Sequence, residues 1–90
     1  MAHILIRHAV ESYDTFKPVY DDAQTMAEGM GQIKSDLYQD SDNPNMITAV
    51  VEFDTDENAK RFTESDELKE AMGKAGVVGA PEITFLNRNN

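Results

Sequence analysis

Between Met46 and Asp54 the chain reads Met-Ile-Thr-Ala-Val-Val-Glu-Phe-Asp, with no glycine or proline and the strongest β-forming character of any stretch. Side chains of a strand alternate between faces. Ile47, Ala49, Val51 and Phe53 therefore share one wholly apolar face, and Met46, Thr48, Val50 and Glu52 share a mixed one. Such a strand needs cover on both sides: helices over the dry face, and something else over the half-dry one.

The flanking segments supply that cover. His3 to Val10 alternates in the same way, with Ile4, Ile6, His8 and Val10 opposed to His3, Leu5, Arg7 and Ala9. Glu11 to Asp14 turns the chain. Proline is tolerated in the first turn of a helix and costly further in, so Pro18 implies a first helix capped by Asp14 or Thr15. Phe16, Val19, Tyr20, Ala23, Met26, Ala27 and Met30 follow helical spacing, and Gly29 reads as its left-handed C-terminal cap. Ile33 to Asp40 is a second, more polar strand, and Ser41-Asp-Asn-Pro-Asn45 is hairpin chemistry returning the chain antiparallel into the central strand.

Asp54 with Glu57 suggests a capping box for a helix carrying Ala59 and Phe62. Ser65 can cap a further helical segment, with Leu68, Ala71, Met72 and Ala75 on one stripe and Gly76 at its end. Gly79-Ala-Pro81 reads as a turn, and Glu82 to Asn87 as the last strand. The order β-α-β-β-α-β predicts a ferredoxin-like α+β fold over residues 1–90 as a single domain. Its four-stranded antiparallel sheet has the first and third strands in the centre and helices on one face.

The other face keeps Leu5, Val50 and Leu86 beside Arg7, Thr48, Glu52 and Thr84, which is too apolar to be left to water. A domain of this size buries only about two-thirds of the surface its unfolded chain exposes. A second copy of the sheet is the natural cover, so a homodimer is expected. Arg7 and Glu52 share the parity of that face and belong to neighbouring strands, and they are expected to pair.

Charge and composition remove several function classes. A net charge of −9 leaves no basic face for phosphate backbones or anionic membranes, so neither nucleic acid nor a membrane is an expected partner. The absence of cysteine removes disulfides, thiolate nucleophiles and zinc–thiolate sites. Met-Ala-His-Ile-Leu-Ile-Arg-His is strand-like and lacks the long apolar core of a signal peptide. No apolar run approaches the roughly 20 residues of a membrane span. A cytoplasmic protein is the expectation.

Several segments resemble the dimeric α+β barrel superfamily, and within it the small antibiotic biosynthesis monooxygenase-like or cyclase-like proteins. They are Arg7-His-Ala-Val-Glu-Ser-Tyr-Asp-Thr-Phe-Lys-Pro-Val-Tyr-Asp21, Gly29-Met30, Asp42-Asn-Pro-Asn45, Val51-Glu-Phe-Asp54 and Leu68-Lys-Glu-Ala-Met-Gly-Lys-Ala-Gly-Val-Val-Gly-Ala-Pro81. The likeness runs nearly end to end, and the last segment is its most specific part. Phe16 and Phe53 stand where such proteins often carry tryptophan, a departure that bears on pocket size. The resemblance implies the dimeric barrel and a ligand cleft between sheet and helices. Its members include oxygenases, isomerases, lyases and proteins without known activity.

His8 is the leading candidate for chemistry. It shares the apolar parity of Ile4, Ile6 and Val10, and an imidazole in a cleft there can deprotonate a phenol or enol. The plainer alternative is a strand-end histidine bonded to backbone near the first helix. Tyr20 is its expected polar companion, with Phe16, Phe53, Phe62 and Met72 as apolar walls; plain core packing explains the same aromatic and methionine spacing. Phe16 and Tyr20 lie four apart, on one helical stripe.

No metal site is expected. His3 and His8 fall on opposite strand faces, and the calcium-loop imitation Asp54-x-Asp56-x-Asn58 has Ala59 and Ser65 where glycine and glutamate are needed. No cofactor is implied, and haem degradation is disfavoured because the chain has no tryptophan and its histidines lie on a strand. The leading reading is a small-molecule-binding homodimer, a cofactor-independent monooxygenase-like or cyclase-like enzyme acting on an aromatic phenolic or enolic compound. The alternatives are a non-catalytic ligand-binding or stress-related dimer and a purely structural module with a filled core.

Overall fold

The computed structural model describes residues 2–89. Its elements run β1 (Ala2–Val10), α1 (Tyr13–Gly29), β2 (Gln32–Asp40), β3 (Asn43–Phe53), α2 (Asp56–Thr63), α3 (Asp66–Lys74) and β4 (Val77–Leu86). The strands form one sheet in the order β2-β3-β1-β4, every neighbouring pair antiparallel, with β1 and β3 central. All helices pack on one face. This is the ferredoxin-like arrangement, with its second helical region divided into α2 and α3.

Alternation places the core. β1 buries Ala2, Ile4, Ile6, His8 and Val10, and β3 buries Ile47, Ala49, Val51 and Phe53. The register Ile4↔Val51, Ile6↔Ala49 and His8↔Ile47 sets these two rows side by side under the helices. Phe53 is fully buried, and its ring centroid lies 4.9 Å from that of Phe62 on α2. From α1, Phe16 and Ala27 are buried, and Val19, Tyr20 and Met26 pack against the same core.

Helix ends depart from expectation where the capping group is not local. Neither Asp14 nor Thr15 caps α1. Ser12 occupies the cap position without a side-chain bond, and the Tyr13 N–H donates to Asn45 Oδ1 at 3.1 Å, across from the start of β3. Pro18 consequently sits well inside the helix. Asp14, whose carbonyl would accept the N–H that Pro18 lacks, is an exposed residue.

The left-handed residue after α1 is Gly31 (φ 108°), not Gly29; at the helix end the Met30 N–H donates to the Ala27 carbonyl and the Gly31 N–H to the Glu28 carbonyl. Thr55, not Asp54, caps α2: its hydroxyl accepts from the Asn58 N–H at 3.0 Å, while Asp54 Oδ1 accepts from Asn58 Nδ2 at 2.8 Å. Ser65 does cap α3, accepting from the Leu68 N–H at 3.2 Å.

Gly31 is pinned. Its carbonyl accepts the Asp54 N–H at 3.0 Å, and a Cβ there would stand 2.4 Å from Asp54 Oδ1. Gly31→Ala is expected to lose about 1–3 kcal/mol, from the positive φ and the clash together. Gly29→Ala is the control, since a Cβ there meets nothing within 4 Å and the φ is ordinary. Urea midpoints of the two variants make the comparison, and equal values would contradict the assignment.

β4 begins at Val77, ahead of the expected Glu82, and Gly79-Ala-Pro81 is a bulge inside it rather than a turn before it. Pairing steps from Arg7↔Glu82 to Ala9↔Val78, so His8 has no opposite residue on β4. An edge strand tolerates this, because the N–H that Pro81 lacks has no outer neighbour to serve.

On the open face Leu5 lies between Val50 and Thr84. The expected Arg7–Glu52 pair is not formed. The register puts Glu52 opposite His3 and Thr48 opposite Arg7. His3 Nε2 meets Glu52 Oε1 at 3.0 Å, while the Arg7 guanidinium donates to both Asp40 oxygens and to Thr48 Oγ1, each at 2.9 Å. That guanidinium holds the Asp40 carboxyl below its usual range.

Candidate functional site

The helix-facing side of the sheet and the inner stripes of α1 and α3 enclose a cavity of about 70 Å³. At ~10–15 Å³ per water this is room for roughly five waters. The sheet contributes Ile6, His8, Gln32, Ala49 and Val51; α1 contributes Phe16, Tyr20 and Gln24 among others; Phe62, Leu68, Met72 and Val77 close the remaining side. A second recess of about 380 Å³ lies between α3 and β4, and the two share Leu68, Met72 and Val77. The unbranched side chain of Met72 thus stands between the inner cavity and the outer recess.

His8 is 7% exposed, and its Nδ1 has no hydrogen-bond partner among the described residues. Its ring meets Phe16 edge-on with centroids 5.5 Å apart. Burial pushes the imidazole below its ordinary value of 6.5, which favours the neutral ring. The sign follows for stability. Because the unfolded chain takes this proton more readily, the contribution of His8 is complete above pH 6.5 and is lost as pH falls below it.

Tyr20 stacks obliquely on Phe16 with centroids 5.5 Å apart, and its hydroxyl bonds to Ser35 Oγ on β2. Burial raises the phenol above its usual range. The polar anchor expected at Tyr20 is therefore engaged with the protein itself.

Of the residues expected to form the site, His8, Phe16, Tyr20, Phe62 and Met72 line the cavity together. Phe53 does not; it lies behind Phe62 in the core. Three polar residues went unforeseen. Ser35 holds Tyr20. Gln32 Nε2 donates to Gln24 Oε1 at 2.7 Å, and Gln24 Nε2 donates to the Tyr20 carbonyl at 3.1 Å. A glutamine in an inward stripe of a helix is a signal the sequence did carry. Among the described residues no group of three or more histidine, cysteine, aspartate or glutamate side chains could hold a metal.

No family model matches the chain. A stretch of 69 residues is 35% identical to phosphoglucosamine mutase from Staphylococcus haemolyticus, covering 74% of this chain and 15% of that protein. The chain thus spans about 15% of the length of the curated relative it matches.

Among solved structures, a protein classed with the antibiotic biosynthesis monooxygenases from Bordetella bronchiseptica superposes with a TM-score of 0.84 at 16% identity, over 99% of this chain and 97% of that one. SnoaB, a cofactor-independent oxygenase from Streptomyces nogalater, gives 0.82 at 11% identity, over 99% and 93%. A protein of the same class from Nitrosomonas europaea gives 0.77 at 13%, over 98% of each chain. The chain has the fold of the antibiotic biosynthesis monooxygenase-like proteins. Among the described residues no helix is long and apolar enough to cross a membrane.

Proposed function

We propose that the chain works as a homodimer that binds a small aromatic molecule in this cleft, as a cofactor-independent monooxygenase-like or cyclase-like enzyme. The observation that carries the reading is His8: a buried imidazole, its Nδ1 unpartnered among the described residues, on the wall of a mainly apolar cavity. SnoaB, which shares the fold, is itself a cofactor-independent oxygenase, and this supports the choice of chemistry.

The step the cleft favours moves the ligand's hydroxyl proton to the His8 ring, leaving an electron-rich phenolate or enolate and an imidazolium. In the monooxygenase outcome the anion gives its electrons to dioxygen, and the new C–O bond carries a peroxide that takes the imidazolium proton to become a hydroperoxide. Loss of water, by breaking the O–O bond and a C–H bond on the same carbon, leaves a ketone or quinone. Attack on a tethered carbonyl, with the proton returned to the new alkoxide, is the cyclase outcome. Energetics narrow the ligand. Moving a proton from an ordinary phenol, with a pKa near 10, to an imidazole below 6.5 is uphill by at least about 5 kcal/mol. Enols and phenols acidified by a conjugated carbonyl suit the site better.

The second reading, a binding protein without turnover, is favoured by one fact. Among the cavity-lining side chains only His8 and Tyr20 titrate, and the Tyr20 hydroxyl is already bonded to Ser35.

The test follows the His8 ring resonances by NMR, with and without a panel of quinols and carbonyl-bearing phenols. His8 is expected to titrate below 6.5 when free and to shift on binding. Turnover should fall by about 10²–10⁴-fold in His8→Ala if the ring is the base. Binding without turnover selects the second reading, and an unshifted resonance with every compound rejects both.

A further inference from the structure

The cavity has two polar ends, and only one of them is His8. The other is the Gln24–Gln32 amide pair, and the same cavity touches both. Gln24 follows Phe16 by two helical turns, about 12 Å along α1 at 1.5 Å per residue. Phe16 is the residue whose ring meets His8. Between the ends the lining is apolar, apart from the engaged Tyr20.

The amide pair keeps bonding capacity. Each primary amide has two donor hydrogens and a carbonyl acceptor. Within the pair, Gln32 uses one N–H on Gln24 Oε1, and Gln24 uses one N–H on the Tyr20 carbonyl. One donor on each amide and the Gln32 carbonyl remain for a ligand. Both residues are half-buried, so water cannot fully hydrate either amide.

Charge supplies the second constraint. None of the residues lining the cavity is lysine, arginine, aspartate or glutamate. The chain carries −9 overall, and the outward side of α1 presents Asp14, Asp21, Asp22 and Glu28. A carboxylate or sulfonate entering this slot would lose its water and meet no counter-charge, so it is disfavoured against a neutral group.

We infer that the cleft selects an uncharged, flat ligand with oxygen functions at both ends, one at His8 and a second hydroxyl or carbonyl read by the Gln24–Gln32 amide pair, with Gln32 as a specificity-determining residue. This rests on the cleft being a ligand site, as proposed above.

Three matched probes test it through the His8 resonances: a naphthol with one hydroxyl, a naphthalenediol with hydroxyls at opposite ends, and the hydroxynaphthoic acid in which a carboxylate replaces the far hydroxyl. The diol is expected to bind about three- to tenfold tighter than the naphthol, the yield of one added hydrogen bond. The acid should bind weakest of the three. Gln32→Leu, close in size, should erase the advantage of the diol over the naphthol.

Naphthol binding with no preference for the diol overturns this inference and leaves the ligand-site reading standing. So does a preference that survives Gln32→Leu, or an acid that binds as well as the diol. Failure of all three probes to move His8 overturns both. The wild-type comparison stands even if the variant folds poorly.

Discussion

Phe53→Ala is expected to destabilise the protein by about 3–5 kcal/mol, the usual result of emptying a buried phenylalanine site. Phe53 has no exposed surface, and it lies against Phe62 beneath the helices. Domains of this kind are stable by only about 5–15 kcal/mol, so this one change removes a large fraction of the margin. Met72→Ala offers the contrast. Met72 is half-buried on the cavity wall, where its loss widens an existing space instead of opening a new one. Its urea midpoint should fall less than that of Phe53→Ala, and its ligand response at His8 should change more. The reverse order of midpoints would contradict the placement of Phe53 in core and Met72 on the cleft.

Val50→Lys is expected to abolish the proposed dimer, changing the mass seen by light scattering at micromolar concentration from two chains to one. Val50 lies beside Leu5 on the open face. Three polar pairs on that face are satisfied within the chain, His3–Glu52, Arg7–Asp40 and Lys34–Asp36. A second sheet could cover such a surface without stranding those groups. A lysine at position 50 would have no such partner, and an unpaired charge buried in a symmetric contact occurs twice, at about 3–5 kcal/mol each. A wild-type protein that is monomeric at the same concentration sinks the dimer itself, and a variant that stays dimeric moves the contact to another surface.

The sheet was legible because alternation is local information. Once Ile47, Ala49, Val51 and Phe53 are assigned inward, the matching row on β1 and the helical cover follow. His8 emerged from the same parity, as did Phe16 and Tyr20 from helical spacing. What failed depended on register or on partners distant in sequence. Parity placed Arg7 and Glu52 on one face but could not say that Glu52 stands opposite His3. Phe53 shares a face with His8 yet lies six residues past Ile47, the residue opposite His8, and so drops behind Phe62. The Gln24–Gln32 pair joins a helix to an edge strand, and neither residue announces the other. The bulge at Gly79-Ala-Pro81 looked like a turn because glycine and proline serve both, and only pairing with β1 tells them apart.

The Asn45 cap has a consequence for the order in which the chain folds. The bond from Tyr13 N–H to Asn45 Oδ1 spans 32 positions, and no side chain of Ser12 stands in for it. A helix of 17 residues containing an internal proline is marginal by itself, and here its first turn is completed by a residue from the far side of a hairpin. Before β3 is in place, α1 has a frayed start; afterwards it has a fixed one. The peptide covering α1 is therefore a poor seed in isolation. Helix and hairpin are expected to consolidate together, because the first turn of α1 is completed only once Asn45 of β3 is in place.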